Sequence, residues 1–185
     1  MKELSLNILD VTKNSVTAGA DTIKIFLETS ADGILEFRVE DNGCGMSEEV
    51  VRRVTDPFYT TRTTRRVGMG LPLLKLAAEQ TGGRLEIVSS TEKGRSGTVL
   101  RAVFDTKSID FMPVGDIVST VCILISGSPE VHFVFKDIAP CGEVSIDTDE
   151  LRAVLGDEIS LAEPEIVAWM RDYLKEQYAE RTKNV

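Results

Sequence analysis

The chain has 185 residues, 42% of them hydrophobic and 28% charged, and its 21 Lys and Arg against 30 Asp and Glu leave a formal net charge of -9. That length suits one domain, with or without a sizeable extension, and the acidic balance opposes nucleic-acid binding, which needs a basic face. No stretch of about 18 apolar residues is present to cross a membrane.

The opening segment MKELSLNILDVTKN puts Asp10 and Lys13 where a signal peptide needs unbroken apolar sequence. Cys44, Cys122 and Cys141 are odd in number and widely spaced, which fits neither a disulfide framework nor a zinc site. A cytoplasmic protein is expected.

Leu4, Ile8, Val11, Ser15 and Ala18 recur at helical spacing, and Gly19 stands where that helix would stop. Thr22 to Glu28 alternates with Ile23, Ile25 and Leu27 on one face, and Leu35, Phe37 and Val39 repeat the pattern. The Ser-Ala-Asp-Gly turn between them predicts an antiparallel hairpin. Ser47-Glu-Glu opens a short helix that Pro57 would end. Leu71 to Gln80 reads as a further helix stopped by Gly82-Gly83, followed by strands at Arg84–Ser89 and Thr98–Phe104. Helices interleaved with such strands predict an α/β two-layer sandwich (α+β), with a mixed sheet and the helices on one face.

Residues 1–105 carry 14 basic and 15 acidic side chains, whereas residues 106–185 carry 7 and 15. With the turn-like stretch from Thr106 to Gly115, this shift predicts a domain over 1–105 and an acidic α/β extension over 106–185. In the extension, Ile117 to Ile125 is nearly all apolar and reads as a buried helix with Asp116 at its start. Val131, Phe133 and Phe135 alternate as a strand that Glu143 to Ile146 would join. Asp147 and Glu150 resemble a capping box for a helix over Leu151–Leu155. Pro164 starts a longer helix with Ile166, Trp169, Met170 and Tyr173 on one stripe.

Four clusters carry candidate chemistry. Asp10 and Asn14 lie one helical turn apart, with Asn7 on the same stripe, so a carboxylate and an amide oxygen converge on one object. Magnesium suits such ligands, and the carboxylate could orient a nucleophile; a solvated helix face would look the same. Asp41-Asn-Gly43-Cys-Gly45-Met46 follows a strand. Its glycines let a flat ligand approach the backbone, and an acceptor-only Asp suits the exocyclic amine of adenine; a plain strand-leaving turn is the alternative. Asp56-Pro-Phe-Tyr-Thr60-Thr61-Arg62 leads to Gly68-Met69-Gly70-Leu71. Those glycines open a helix whose free amides could seat a phosphate, with arginines just upstream; a flexible surface loop with an ordinary arginine cluster is the alternative, and the one these residues favour by themselves. Gly97-Thr98 opens the last strand of this region, and its hydroxyl could reach a base directly or through water.

Taken in order, these clusters resemble the GHKL superfamily, which includes gyrase B, the ninety-kilodalton heat-shock chaperone, histidine kinases and MutL. The likeness spans about residues 3–105 and includes the N box Asp10-x-x-x-Asn14, DNGCGM, DPFYTTR, GMGL and GT. It implies the Bergerat ATP-binding fold. It also implies that Asn14 ligates Mg2+, that Asp41 binds the adenine amine with Gly45 beneath the base, and that Thr98 supports the adenine end. By the same likeness Gly43, Met46, Thr60, Thr61, Arg62 and Leu71 belong to the nucleotide-binding boxes. Gly68 and Gly70 belong to the lid and its hinge near the phosphates, and Met69 to the same nucleotide-binding boxes. Asp10 takes the place of the family's usual glutamate as the base, one methylene shorter.

Asn14-Ser-Val-Thr-Ala-Gly-Ala20 with DNGCGM is similar to MutL, but MutL's GFRGEAL segment is missing. DPFYTTR and GMGLPLLKLAAEQTGG are similar to histidine kinases, yet the N box begins within the first few residues and no acceptor histidine precedes it. The only histidine, His132, alternates with Val131 and Phe133 and reads as structural. The expectation is a histidine-kinase-type ATP-binding domain without its acceptor module. It would hydrolyse ATP or pass its γ-phosphate to a partner protein; the alternatives are a non-catalytic nucleotide-dependent module and a MutL-like repair ATPase.

Overall fold

The computed structural model describes residues 3–56, 70–156 and 159–183. Its elements run α1 (Leu4–Thr17), β1 (Thr22–Thr29), β2 (Ile34–Asp41), α2 (Glu48–Arg53), α3 (Gly70–Gln80), β3 (Arg84–Ser90), β4 (Gly97–Asp105), α4 (Ile117–Gly127), β5 (His132–Ala139), β6 (Gly142–Asp147), α5 (Thr148–Leu155) and α6 (Pro164–Lys183).

The six strands make one mixed sheet in the order β3-β4-β2-β1-β5-β6. All neighbours are antiparallel except β1 and β5. Period-two alternation explains the layers. Ile23, Ile25 and Leu27 of β1, Leu35, Phe37 and Val39 of β2 and Leu100, Ala102 and Phe104 of β4 are buried on one face. Over that face α3, α1, α4 and α6 lie side by side, each touching the next. The sheet and helices therefore form the expected two-layer α/β sandwich.

The other face is a charged lattice. Arg38 stacks on the Phe26 ring at 4.3 Å and pairs with Glu28, Glu36 and Glu40. Arg101 bridges Glu36 and Glu86. Charge on a half-solvated face keeps it from becoming a second apolar surface.

Residues 106–185 add β5 and β6 to the same sheet. Phe133 and Phe135 are buried in one cluster with Phe37 and Phe104. The connector also completes α1: Glu3, its N-cap, makes no side-chain cap. The Pro113 and Val114 carbonyls instead accept the Leu4 and Ser5 amides at 3.0 and 2.8 Å, satisfying donors that a helix start leaves open.

Several local expectations meet their structure. Ser47 caps α2 through the Val50 amide, and Asp116 caps α4 through the Ser119 amide at 2.9 Å. Asp147 caps α5 through the Asp149 amide at 2.8 Å, although α5 starts at Thr148, ahead of the expected Leu151. α2 ends at Arg53, and Pro57 lies outside the described residues. The stripe expected on α6 is displaced. Met170 and Leu174 are its buried positions, while Trp169 and Tyr173 are exposed and stack on each other with centroids 5.1 Å apart. The helix turns the Met170 side to the sheet because its packing partners are β6 and α4, and the two aromatic rings shield one another outside the core.

The far end of α6 is fixed by charge. Asp137 of β5 is buried and accepts from Arg181 Nη1 and the Tyr178 hydroxyl, each at 2.7 Å. Burial first, then the adjoining Asp137 carboxylate, push the Tyr178 phenol up from its ordinary range. Gln177 meanwhile receives the Ser145 amide and donates to the Ser145 carbonyl, both at 2.9 Å, closing the outer edge of β6. Replacing Asp137 by Ala leaves Arg181 unpaired in a mostly buried place and is expected to cost about 3 kcal/mol in urea denaturation.

Candidate functional site

The buried face of the sheet changes character at one end. Ile87, Leu100 and Val39 stand opposite one another across β3, β4 and β2, and two residues further along the same row becomes Ser89, Thr98 and Asp41. Side chains two apart on a strand share a face, so all three polar groups point into the helix layer.

Asp41 is held from two sides. Ser15 Oγ of α1 donates to its Oδ2 at 2.7 Å, and the Gly43 amide donates to its Oδ1 at 3.0 Å. The loop after it is tied down residue by residue. Asn42 Oδ1 accepts the Asp21 and Thr22 amides at 3.1 and 3.0 Å, and its Nδ2 donates to Asp21 Oδ1 at 2.6 Å. That amide is the first cause that holds the Asp21 carboxyl below its usual range. The Cys44 amide donates to the Ala18 carbonyl at 2.9 Å, and the Met46 amide to Ser89 Oγ at 2.8 Å.

Two glycines make this closeness feasible. Gly45 has φ +69, and a Cβ there would collide with the Ser90 carbonyl. Gly97 has φ +144, and a Cβ would strike the Asp41 carbonyl. Any side chain would be strained at such φ and would also part the loop from the β3–β4 hairpin.

Asp10 and Asn14 lie on α1 at i and i+4, both half-buried. Asp10 reaches a different neighbour from Ser15. Its Oδ2 lies against Gly70, the first residue of α3, where a Cβ would overlap it. Ser15 and Asp10 are five residues apart, about 7.5 Å along the helix axis, so α1 links the Asp41 end to the start of α3. A carboxylate at a helix start is favoured by the unpaired amides there.

Of the expected residues, Asp10, Asn14, Asp41, Gly43, Gly45, Met46, Gly70 and Thr98 surround this end of the sheet and helix layer. Leu71 packs against the core cluster. Asn7, expected on the stripe of Asp10 and Asn14, is buried, with Nδ2 near the Glu3 carbonyl and Met112 Sδ. Thr60, Thr61, Arg62, Gly68 and Met69 lie outside the described residues. His132 sits apart on β5, with Nε2 2.9 Å from Asp147 Oδ1 and Nδ1 3.4 Å from Asp149 Oδ2.

Sequence reasoning passed over Ser15 and Ser89 as site residues. Each carries a signal in hindsight, because each is a hydroxyl continuing an apolar series: Leu4, Ile8, Val11, Ser15 on the helix and Leu85, Ile87, Ser89 on the strand.

The two glycines against Asp10 and Ser90 separate by experiment. Gly45→Ala is expected to lower stability by about 2–3 kcal/mol in thermal denaturation, since backbone opposes the new methyl at a strained φ. Gly70→Ala should lose much less, because the obstructing atom is the end of a side chain that can turn aside.

Residues 1–108 match the model of the family described as histidine kinase-, DNA gyrase B-, and HSP90-like ATPase. The chain is 33% identical over 97 residues to sporulation kinase E of Bacillus subtilis (strain 168), covering 51% of this chain and 12% of that protein. It is 30% identical over 102 residues to the signal transduction histidine-protein kinase AtoS of Escherichia coli (strain K12), covering 54% of this chain and 16% of that one. It thus spans under a fifth of the length of either kinase. In fold, it is similar to a crystal structure of the N-terminal domain of a DNA repair protein, with TM-score 0.55 and 15% identity over 80% of this chain and 52% of the other.

Proposed function

The chain belongs to the histidine kinase-, DNA gyrase B-, and HSP90-like ATPase family, and from that premise we propose that it binds Mg-ATP at the polar end of its sheet and hydrolyses it or passes the γ-phosphate to a partner protein. The observation that carries this reading is the Asp41 carboxylate, anchored by Ser15 and Gly43 and facing the helix layer beside Thr98. A carboxylate so fixed accepts from the exocyclic amine of adenine with little reorganisation.

The residues present fit both cofactors. Asp10 and Asn14 offer hard oxygens on one helix face, and magnesium, which keeps several waters, needs only one or two such protein ligands. Bound magnesium would neutralise charge on the phosphates. In this reading Asn14 holds the ion and Asp10 orients the attacking group beside the start of α3. Gly43, Gly45 and Met46 line the base, and Thr98 supports its edge. Gly68 and Gly70 belong to the lid and its hinge, while Thr60, Thr61, Arg62, Met69 and Leu71 belong to the nucleotide-binding boxes around it. Residues 1–105 form the nucleotide-binding unit, and the acidic segment 106–185 offers a protein partner its surface. No helix among the described residues is long and apolar enough to cross a membrane; a cytoplasmic setting is part of the proposal, supported by the three free, widely spaced cysteines.

The short carboxylate at position 10 favours a second reading, a nucleotide-dependent interaction module without turnover. The DNA-repair alternative has support only from fold likeness, and the net charge of -9 opposes it.

Calorimetry of Mg-ATP binding is expected to show affinity in the wild type and a loss of about 1.5–3 kcal/mol in Asp41→Asn. In a phosphate-release assay with candidate partners present, Asp10→Ala should lower turnover by about tenfold or more. Equal, negligible turnover in both proteins, with binding intact, would select the interaction module.

A further inference from the structure

Ser89 of β3 has three hydrogen-bond partners, each at 2.8 Å: the Met46 amide, the Gly97 carbonyl oxygen and Thr98 Oγ1. A serine hydroxyl carries one proton and two lone pairs. The Met46 amide can only donate and occupies one lone pair. The Gly97 carbonyl can only accept, so the serine proton lies between them; without it, two oxygens at that distance would repel. One lone pair is left, and only the Thr98 hydroxyl proton can fill it. Thr98 is thereby fixed as the donor to Ser89, and its oxygen presents lone pairs alone to whatever lies beside Asp41, its opposite number on β2.

We propose that Ser89 is a specificity-determining positioning residue: by holding the Thr98 proton it makes the end of the sheet a surface of two acceptors, Asp41 and Thr98, that selects a purine with an amine at its six position over one with a carbonyl there. This rests on the reading of the site as a nucleotide site and extends it from binding to choice of base. Adenine offers a donor to both groups. Guanine held in the same seat, its six position against Asp41 and Thr98, sets a carbonyl oxygen against them, and the base would have to turn to bring its N1–H and two-position amine to these acceptors; polar groups left facing like groups are penalised more than a lost contact. The Met46 amide adds a second duty, since the same hydroxyl ties the DNGCGM loop to β3 and fixes the height of that loop against the strand row.

The test is titration calorimetry of the full chain with Mg-ATP and with Mg-GTP, giving an affinity ratio that a purely structural bond would not move. The wild type is expected to prefer ATP. In Ser89→Ala the Thr98 hydroxyl is free to turn its proton outward, and the ATP:GTP ratio should fall about tenfold. Ser89→Thr keeps a hydroxyl and should keep most of the ratio. Thr98→Val removes the wired group at nearly constant shape and should lower the ratio as Ser89→Ala does, with no further fall in the double variant. Equal losses of ATP and GTP affinity in Ser89→Ala overturn the proposal. If that variant does not fold, an unchanged ratio in Thr98→Val overturns it instead. A wild type that binds neither nucleotide sinks the nucleotide reading itself, whereas ATP binding with one selectivity throughout the series sinks only the role of Ser89.

Discussion

The carboxylate of Asp41 is the group on which the rest of the site depends. One oxygen takes the hydroxyl proton of Ser15 on α1 and the other takes the amide proton of Gly43 in the following loop. With both oxygens engaged, its orientation is a joint property of helix, strand and loop, and none of the three can shift without breaking a bond to the other two. In the proposed nucleotide site, such a group would be set before a ligand arrives, which is the condition under which a fixed dipole or charge contributes most to recognition.

The closeness of the surrounding backbone follows from that arrangement. The loop from Asn42 to Met46 has no regular structure of its own, yet four of its groups bond to β1, α1 or β3. Gly45 and Gly97 sit where the loop meets the β3–β4 hairpin, and each would strike a carbonyl oxygen if it carried a side chain. Near the middle of α1, Gly70 leaves room for the Asp10 carboxylate at the start of α3. The same helix therefore serves both ends of the site, and its own N-terminus is completed by carbonyls from the connector at Pro113 and Val114.

That connector shows how the acidic segment is built in. β5 lies parallel to β1, and its first residue receives support from the strand that Asn42 anchors: the His132 amide donates to the Asp21 carbonyl at 2.8 Å, while Asn42 holds the Asp21 side chain. A continuous run of bonds thus joins the loop beside Asp41 to the start of β5. At the opposite end of β5, Asp137 binds Arg181 and Tyr178, so the long final helix is fixed to the strand by a mostly buried ion pair and by apolar packing at Met170 and Leu174.

Local pattern was enough to read most of the elements, because alternation and helical spacing are properties of neighbouring residues. Ile23, Ile25 and Leu27 point one way in any strand that buries a face, and Ser47 or Asp116 caps a helix through an amide three residues away. The ordered boxes likewise named Asp41, Gly45, Gly97 and Thr98, since close approach of backbone demands glycine wherever the chain does it. What local pattern missed was set by partners distant in sequence. Ser89 is an ordinary strand serine until Met46, 43 residues earlier, and Thr98, on the next strand, are brought against it. Ser15 is one more member of a helix stripe until Asp41 comes beneath it. Trp169 and Tyr173 look like core by size, but packing between β6 and α4 turned Met170 and Leu174 inward. Residue type and spacing decide which groups a segment can offer; only the pairing of distant strands and helices decides which atoms meet, and hydrogen bonds act over 3 Å or not at all.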